Sequence, residues 1–309
     1  MNFRKFKPIY WIYNLLHYKE LRHNKEAYKK YHVHRPLTAS ISSKDFPDKE
    51  SKAWLDITDS SESAFSKKSF ESFPSHIQEQ IIQWSRNGYM IFNNFFSTSD
   101  CDAINAEIDY LVEKKKIKLT GTNKLMFAMK KSPLINGMAN SQSLKKIMGF
   151  ILDKEIVAFQ SINFIHGSEQ RAHSDSVHMT TYPLGYLIAA WIALEDVSDQ
   201  NGLLFYYPGS HKLPFLLNND FNEGETFLTL GKKDYTDYED VIEESVNKKG
   251  YQKKEFYAQK GDVLIWHANL VHGGSPIKNK MLTRKSMVVH YYAKDVIKYH
   301  EITERPSLL

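Results

Sequence analysis

A chain of 309 residues with 42% hydrophobic content can bury a full core, and its length falls between one large all-β domain and two average ones. The formal charge of +5 is modest and dispersed, with no stripe of Arg and Lys interleaved with stacking aromatics beyond the N-terminus, which argues against nucleic acid as a partner. The single Cys101 excludes an internal disulfide framework and a Cys-rich zinc site, and fits a reducing compartment such as the cytoplasm. No run reaches the roughly 18 apolar residues of a membrane span, and no small-residue cleavage site follows an apolar segment.

The chain divides into a basic, aromatic extension with its connector, residues 1–75, and a catalytic domain, residues 76–309. Residues 1–35 combine Arg4, Lys5, Lys7, Lys19, Arg22, Lys25, Lys29, Lys30 and Arg35 with only Glu20 and Glu26, and place Trp11 among several tyrosines. Two readings stand for this segment. Ile9, Trp11, Ile12, Leu15 and Leu16 dock on the domain, or the segment lies on an anionic membrane surface, at the inner face of a membrane, with Trp11 at headgroup depth. Residues 36–75, rich in Ser, Lys and Asp, read as an irregular connector.

From Pro74 the pattern becomes that of a domain. Ile77, Ile81, Ile82 and Trp84 predict an amphipathic helix, and Tyr89 to Phe92 a strand after Gly88. Ser97 and Asp100 form a capping box that opens a helix carrying Ile104, Ile108, Leu111 and Val112 inward, and another helix is predicted over 143–152. Strands then dominate, at 156–165, 187–194, 203–207, 263–266 and 286–292. Short β-runs after a set of helices indicate a mainly β sandwich or barrel with helices packed on one side. Residues 213–258 form a long charged insert with a helix around 238–246, expected to serve as a lid or substrate loop.

His173 and Asp175 stand two residues apart, so on a strand both reach one metal while Ser174 turns away. Alone the pair carries little, because a chain with 13 histidines yields about one His-x-Asp by chance. A second histidine, His272 or His267, completes two imidazoles and one carboxylate, a set that suits non-haem Fe(II) and leaves positions open for a cosubstrate and O₂. Arg284 and Ser286 share a face of the last strand with Val288 and His290, and the planar fork of an arginine binds a carboxylate through two parallel hydrogen bonds. Fe²⁺ with one Asp and two neutral His keeps a charge of about +1, which invites an anionic chelator. A 2-oxo acid whose second carboxylate meets Arg284 and Ser286 satisfies both demands, and 2-oxoglutarate is that molecule.

Five segments, in order, carry a resemblance: Gly167 to Asp175 with its His173-Ser174-Asp175; Trp191 to Asp196; Asn201-Gly202-Leu203-Leu204 with Pro208-Gly209-Ser210-His211-Lys212; Gly261-Asp262-Val263-Leu264; and Leu270-Val271-His272-Gly273. Together, from about Gly88 to Tyr292, they resemble the phytanoyl-CoA dioxygenase family. The resemblance implies a double-stranded β-helix, or jelly roll, using Fe(II), 2-oxoglutarate and O₂. It assigns His173, Asp175 and His272 as iron ligands, which selects His272 over His267, with Arg284 as the 2-oxoglutarate anchor helped by Ser286. It also brings Gln170 to the cosubstrate and Trp191 to the pocket wall. Gly274 departs from the pattern, since many members have Ser there.

Retention of Asp175, where related halogenases have a small residue, implies hydroxylation with succinate and CO₂ as co-products. The substrate is a small molecule, a lipid or a glycan-linked compound, with Lys124, Lys130, Lys131 and His178 as candidate contacts. His211 reads as a structural residue of a tight turn. The alternative is a catalytically silent jelly-roll binding module of the same family. Sequence leaves the oligomeric state open.

Overall fold

The computed structural model describes residues 5–46, 53–56, 59–120, 124–217, 220 and 224–309. Helices come first along the chain: α1 Lys7–Leu16, α2 Tyr18–Leu21, α3 Asn24–Lys30, α4 Ser60–Phe65, α5 Ser75–Ile82, α6 Trp84–Asn87, α7 Thr98–Glu113, α8 Pro133–Ala139 and α9 Gln142–Leu152, with α10 Tyr235–Lys248 far downstream. The strands are β1 Tyr89–Phe92, β2 Leu119–Thr120, β3 Lys124–Met126, β4 Ile156–Phe164, β5 Thr180–Tyr182, β6 Leu187–Ala193, β7 Leu204–Tyr206, β8 Lys254–Phe256, β9 Val263–His267, β10 His272–Gly274, β11 Ser286–Ala293, β12 Ile297–His300 and β13 Arg305–Pro306.

An antiparallel seven-stranded sheet in the order β1-β9-β6-β11-β4-β3-β2 forms one wall. A second sheet, β10-β7-β8, faces it, and a third, β13-β12-β5, closes one end. This is the mainly antiparallel jelly roll with flanking helices that the sequence leads one to expect. The period-2 alternation of the central strands explains how the wall is covered on both sides. On β6, Ile188, Ala190 and Ile192 pack with α7 and α9 residues such as Ile104, Ile108 and Ile147, while Ala189, Trp191 and Ala193 face Leu204, Tyr206 and Phe256 of the small sheet. β9 and β11 divide in the same way, Val263, Ile265, Met287 and Val289 toward the helices and Leu264, Trp266 and Val288 toward the sandwich. Both faces being dry, these strands read as unbroken apolar runs, which is why they were visible.

Several details differ from expectation. The first amphipathic helix is broken at Gln83 into α5 and α6, ending on Gly88 in the left-handed conformation. Gly88 also lies against His211, whose ring would meet an added Cβ at 2.3 Å. The connector, expected to be irregular, carries the helix α4 capped by Asp59 and three 3₁₀ turns, Ser43–Asp45, Trp54–Asp56 and Lys68–Ser72, and its Leu55, Ala64, Phe70 and Phe73 are buried in the same core as the other helices. Ser97 and Asp100 do form the capping box of α7.

The N-terminal segment is fastened to the domain, though of the residues expected to dock only Trp11 is half-buried, donating to Ser40 Oγ and packing on Phe227. Phe3 and Arg4 lie outside the described residues. Ala27, Tyr28, Val33, Ile41 and Phe46 pack with Tyr182, Ile297 and Tyr299, and the buried Asn24 side chain bonds both the N–H and the carbonyl of Lys298 on β12. Of the apolar residues of α1, by contrast, Ile9, Ile12, Leu15 and Leu16 are exposed. The helix turns Lys7 and Asn14 inward, Lys7 pairing with Glu225 and Glu304 at 2.5 and 2.6 Å and Asn14 donating to the Thr38 carbonyl. Ionic partners on the domain, Glu225 and Glu304, together with the Thr38 carbonyl of the connector, hold this face inward.

Candidate metal centre

His173 and His272 are brought together by the backbone. Each donates its N–H to the carbonyl of the other at 2.9 Å, in an isolated antiparallel bridge that sets the two rings 4.4 Å apart. Asp175 is not on a strand, as the spacing suggested. Ser174 is extended and Asp175 opens a 3₁₀ turn, Asp175–Val177, which still brings its carboxylate round to the imidazoles. Ligand-capable atoms of His173, Asp175 and His272 all lie within 4.8 Å of one another, and the three residues are buried, an arrangement that can hold one metal ion.

The tautomers follow from the partners. Nδ1 of His173 faces the Arg171 carbonyl at 2.8 Å and Nδ1 of His272 the Leu270 carbonyl at 2.9 Å. A carbonyl only accepts, so both Nδ1 atoms carry the proton and both Nε2 lone pairs are left for a metal. Burial, aided by the neighbouring His272, pushes the His173 imidazole down to about 3, which keeps it neutral. Burial alone would raise the Asp175 carboxyl, but His290 and His272 outweigh it and hold the group below the ordinary carboxylate range.

Trp266 was missed by the sequence reading. Its indole N–H donates to Asp175 Oδ2 at 2.7 Å, and His290 Nε2 stands 3.5 Å from the same oxygen. Oδ1, 3.9 Å from His272 Nε2, is the oxygen turned to the imidazoles. The signal was the alternation on β9 and β11, which puts Trp266 and His290 on the sandwich face. We expect Trp266→Phe to retain the fold but bind metal about 10–100-fold more weakly, since outer partners of a ligand typically carry that much. A metal-competition titration checks this.

The triad opens into a cavity of about 380 Å³, whose wall includes Gln170, Trp191, Phe164, Lys124, His178 and Arg284. Arg284 is 2% exposed, its guanidinium lies 5.7 Å from the Phe164 ring and 5.6 Å from the Trp191 ring, and its Nε has no hydrogen-bond partner. No carboxylate of the described residues is in ion-pair contact with it, and burial lowers it to about 10. Lys124, whose Nζ lies 5.2 Å from the same Phe164 ring, is lowered by burial and by Arg284. Ser286 sits opposite Phe164 in the register and is fully buried with its Oγ unpartnered, but it does not line the cavity.

The remaining candidates sort clearly. His178 lines the cavity and packs on Tyr235 at 4.5 Å, and Gln170 Nε2 donates to the Tyr235 hydroxyl at 3.2 Å. Lys130 and Lys131 are not part of the wall. His267 has both nitrogens engaged: the Asn269 N–H donates to Nδ1, which puts the proton on Nε2, facing Asp56 at 2.8 Å. His211 packs beside it, in the 3₁₀ turn Ser210–Lys212. Helix α10 of the insert acts as a brace rather than a free lid. The buried Tyr238 hydroxyl meets Ser174 Oγ at 2.6 Å, between two of the metal-facing residues, and Arg171 reaches Asp240 and Glu243 at 2.7 Å each.

Comparison with known proteins agrees with this geometry. Residues 84–286 match the family model described as phytanoyl-CoA dioxygenase (PhyH). Phytanoyl-CoA dioxygenase domain-containing protein 1 of Bos taurus is 22% identical over 189 residues, 43% of this chain and 64% of that protein, so the match spans less than two thirds of the relative. Among solved structures, the alpha ketoglutarate dependent carbocyclase SnoK from nogalamycin biosynthesis aligns with a TM-score of 0.58 at 19% identity, over 74% of this chain and 87% of that one. The epimerase SnoN, solved with Fe3+, alpha ketoglutarate and nogalamycin RO, aligns with a TM-score of 0.56 at 17% identity, over 75% and 88%. At such identities the structures speak for the shared fold, and the family model speaks for descent. The chain belongs to the phytanoyl-CoA dioxygenase (PhyH) family, a family of dioxygenases that use iron and 2-oxoglutarate.

Proposed function

We propose that this protein hydroxylates a small organic substrate, of small-molecule, lipid or glycan type, with Fe(II), 2-oxoglutarate and O₂, releasing succinate and CO₂. The observation that carries the reading is that one cavity holds a donor set of two imidazoles and one carboxylate and, beside it, a buried arginine that no carboxylate of the described residues meets in an ion pair. A desolvated cation is costly unless an anion meets it, and a dicarboxylate that also chelates the metal does so.

In this reading His173 Nε2, His272 Nε2 and Asp175 Oδ1 hold the iron, and three protein donors leave positions open. When bound, iron with 2-oxoglutarate and O₂ supplies the oxidising power for breaking a C–H bond. The protein's part is positioning and exclusion of water. The Arg171 and Leu270 carbonyls aim the imidazoles, and Trp266 occupies Asp175 Oδ2 so that one oxygen remains for the metal. Arg284 takes the far carboxylate of 2-oxoglutarate in a bidentate pair, with Lys124 adding positive charge. Trp191 and Phe164 pack against Arg284 and with Leu204 and Val288 supply apolar wall, while His178, Gln160, His300, Thr303 and Arg305 of the same cavity offer polar contacts to a substrate.

The test is turnover without substrate. The protein loaded with Fe(II) in air is expected to convert 2-oxoglutarate slowly to succinate, and the zinc-loaded protein is not. Absence of succinate from iron-loaded protein would favour the silent binding module.

A further inference from the structure

Helix α1 is amphipathic with its apolar side outward. Ile9, Ile12, Tyr13 and Leu16 recur at helical spacing, and Ile12 and Leu16 are 62% and 77% exposed, whereas Lys7 and Asn14 on the opposite side are buried in ionic and amide contacts. The insert meets the start of this helix. Its backbone joins the start of α1 through Lys7 N–H to the Leu228 carbonyl, Leu230 N–H to the Lys5 carbonyl and a bridge between Phe6 and Thr229. Phe227, packed on Trp11 at 5.2 Å, is 76% exposed, and Leu228 is 46% exposed beside it. Two segments more than two hundred residues apart in sequence thus meet here, and each exposes apolar side chains.

Charge says what fits there. Immediately after α1 the chain exposes Lys19, Arg22, Lys25, Lys29 and Lys30, none in an ion pair among the described residues, against Glu20 and Glu26. Exposed apolar side chains and exposed cations on one short segment match the two chemistries of an anionic bilayer surface, acyl chain and phosphate. A partner protein of ordinary surface would leave five cations uncompensated. We propose that α1 and the Phe227-Leu228 tip dock this protein on an anionic phospholipid surface. The face also borders the cavity: Tyr10 lies under the Arg305 guanidinium at 4.8 Å, and Arg305 lines the cavity wall.

Co-sedimentation of the full chain with phosphatidylcholine vesicles, with and without phosphatidylserine, tests this. The expected result is binding that needs phosphatidylserine and weakens severalfold at high salt. Ile12→Asp combined with Leu16→Asp should lower it at least tenfold while leaving the melting temperature unchanged, since both side chains are exposed. Lys25→Glu with Lys29→Glu should give a comparable loss through charge alone. The proposal goes beyond the chemistry of the metal centre, so iron content and 2-oxoglutarate binding should be equal in all these proteins. No sedimentation with anionic vesicles, equal binding to neutral ones, insensitivity to both pairs of substitutions, or a dimer that buries α1 in sedimentation velocity would each overturn it.

Discussion

Replacing any one of His173, Asp175 or His272 with alanine is expected to abolish tight Fe(II) binding, a larger loss than the roughly 10–100-fold attached to an outer partner such as Trp266. Each substitution removes a donor and also the fixed geometry, because the two imidazoles are set by reciprocal backbone bonds and the carboxylate by the turn that follows. Asp175→Ala additionally removes the negative charge that balances the metal. The fold should survive, since the residues line a cavity. Iron content after anaerobic reconstitution checks the expectation. His267→Ala serves as the control: it breaks the contact with Asp56 at 2.8 Å and costs some stability, yet leaves iron binding intact. Full iron occupancy in His272→Ala with loss in His267→Ala would reverse the assignment.

Arg284→Lys should retain iron and bind 2-oxoglutarate about 10–100-fold more weakly, the cost of trading a bidentate charged pair for a point charge. Calorimetric titration of the anaerobic iron protein measures it. A second consequence follows from burial. Arg284 is a desolvated cation with no ion-pair partner among the described residues, so Arg284→Met should raise the thermal midpoint while abolishing 2-oxoglutarate binding. A fall in stability of Arg284→Met, with unchanged affinity of Arg284→Lys, would point to Lys124 as the main anchor.

Much of the site was legible in the chain because it is built from short spacings. His173 and Asp175 are two residues apart, whereas Ser286, read by the same spacing as a helper of Arg284, does not line the cavity; β6, β9 and β11 are apolar on both faces, which marks them as central strands. What stayed hidden depends on tertiary pairing. Trp266 reaches Asp175 from β9, and Tyr238 reaches Ser174 from α10, across distances no local pattern encodes. The short strands β5, β10, β12 and β13 carry too few residues for a period to show. The apolar residues of α1 were visible too, but composition alone does not say which side meets the domain. Buried Lys7, held by Glu225 and Glu304, settles that orientation.

The most direct measurement is a crystal structure of the full chain prepared anaerobically with Fe(II) and 2-oxoglutarate. The account predicts a single iron coordinated by Nε2 of His173, Nε2 of His272 and Oδ1 of Asp175. It further predicts 2-oxoglutarate chelating that iron, with its far carboxylate in two hydrogen bonds to Arg284 beside Trp191. Iron at His267 and Asp56, or 2-oxoglutarate bound with Arg284 still unpaired, would contradict it.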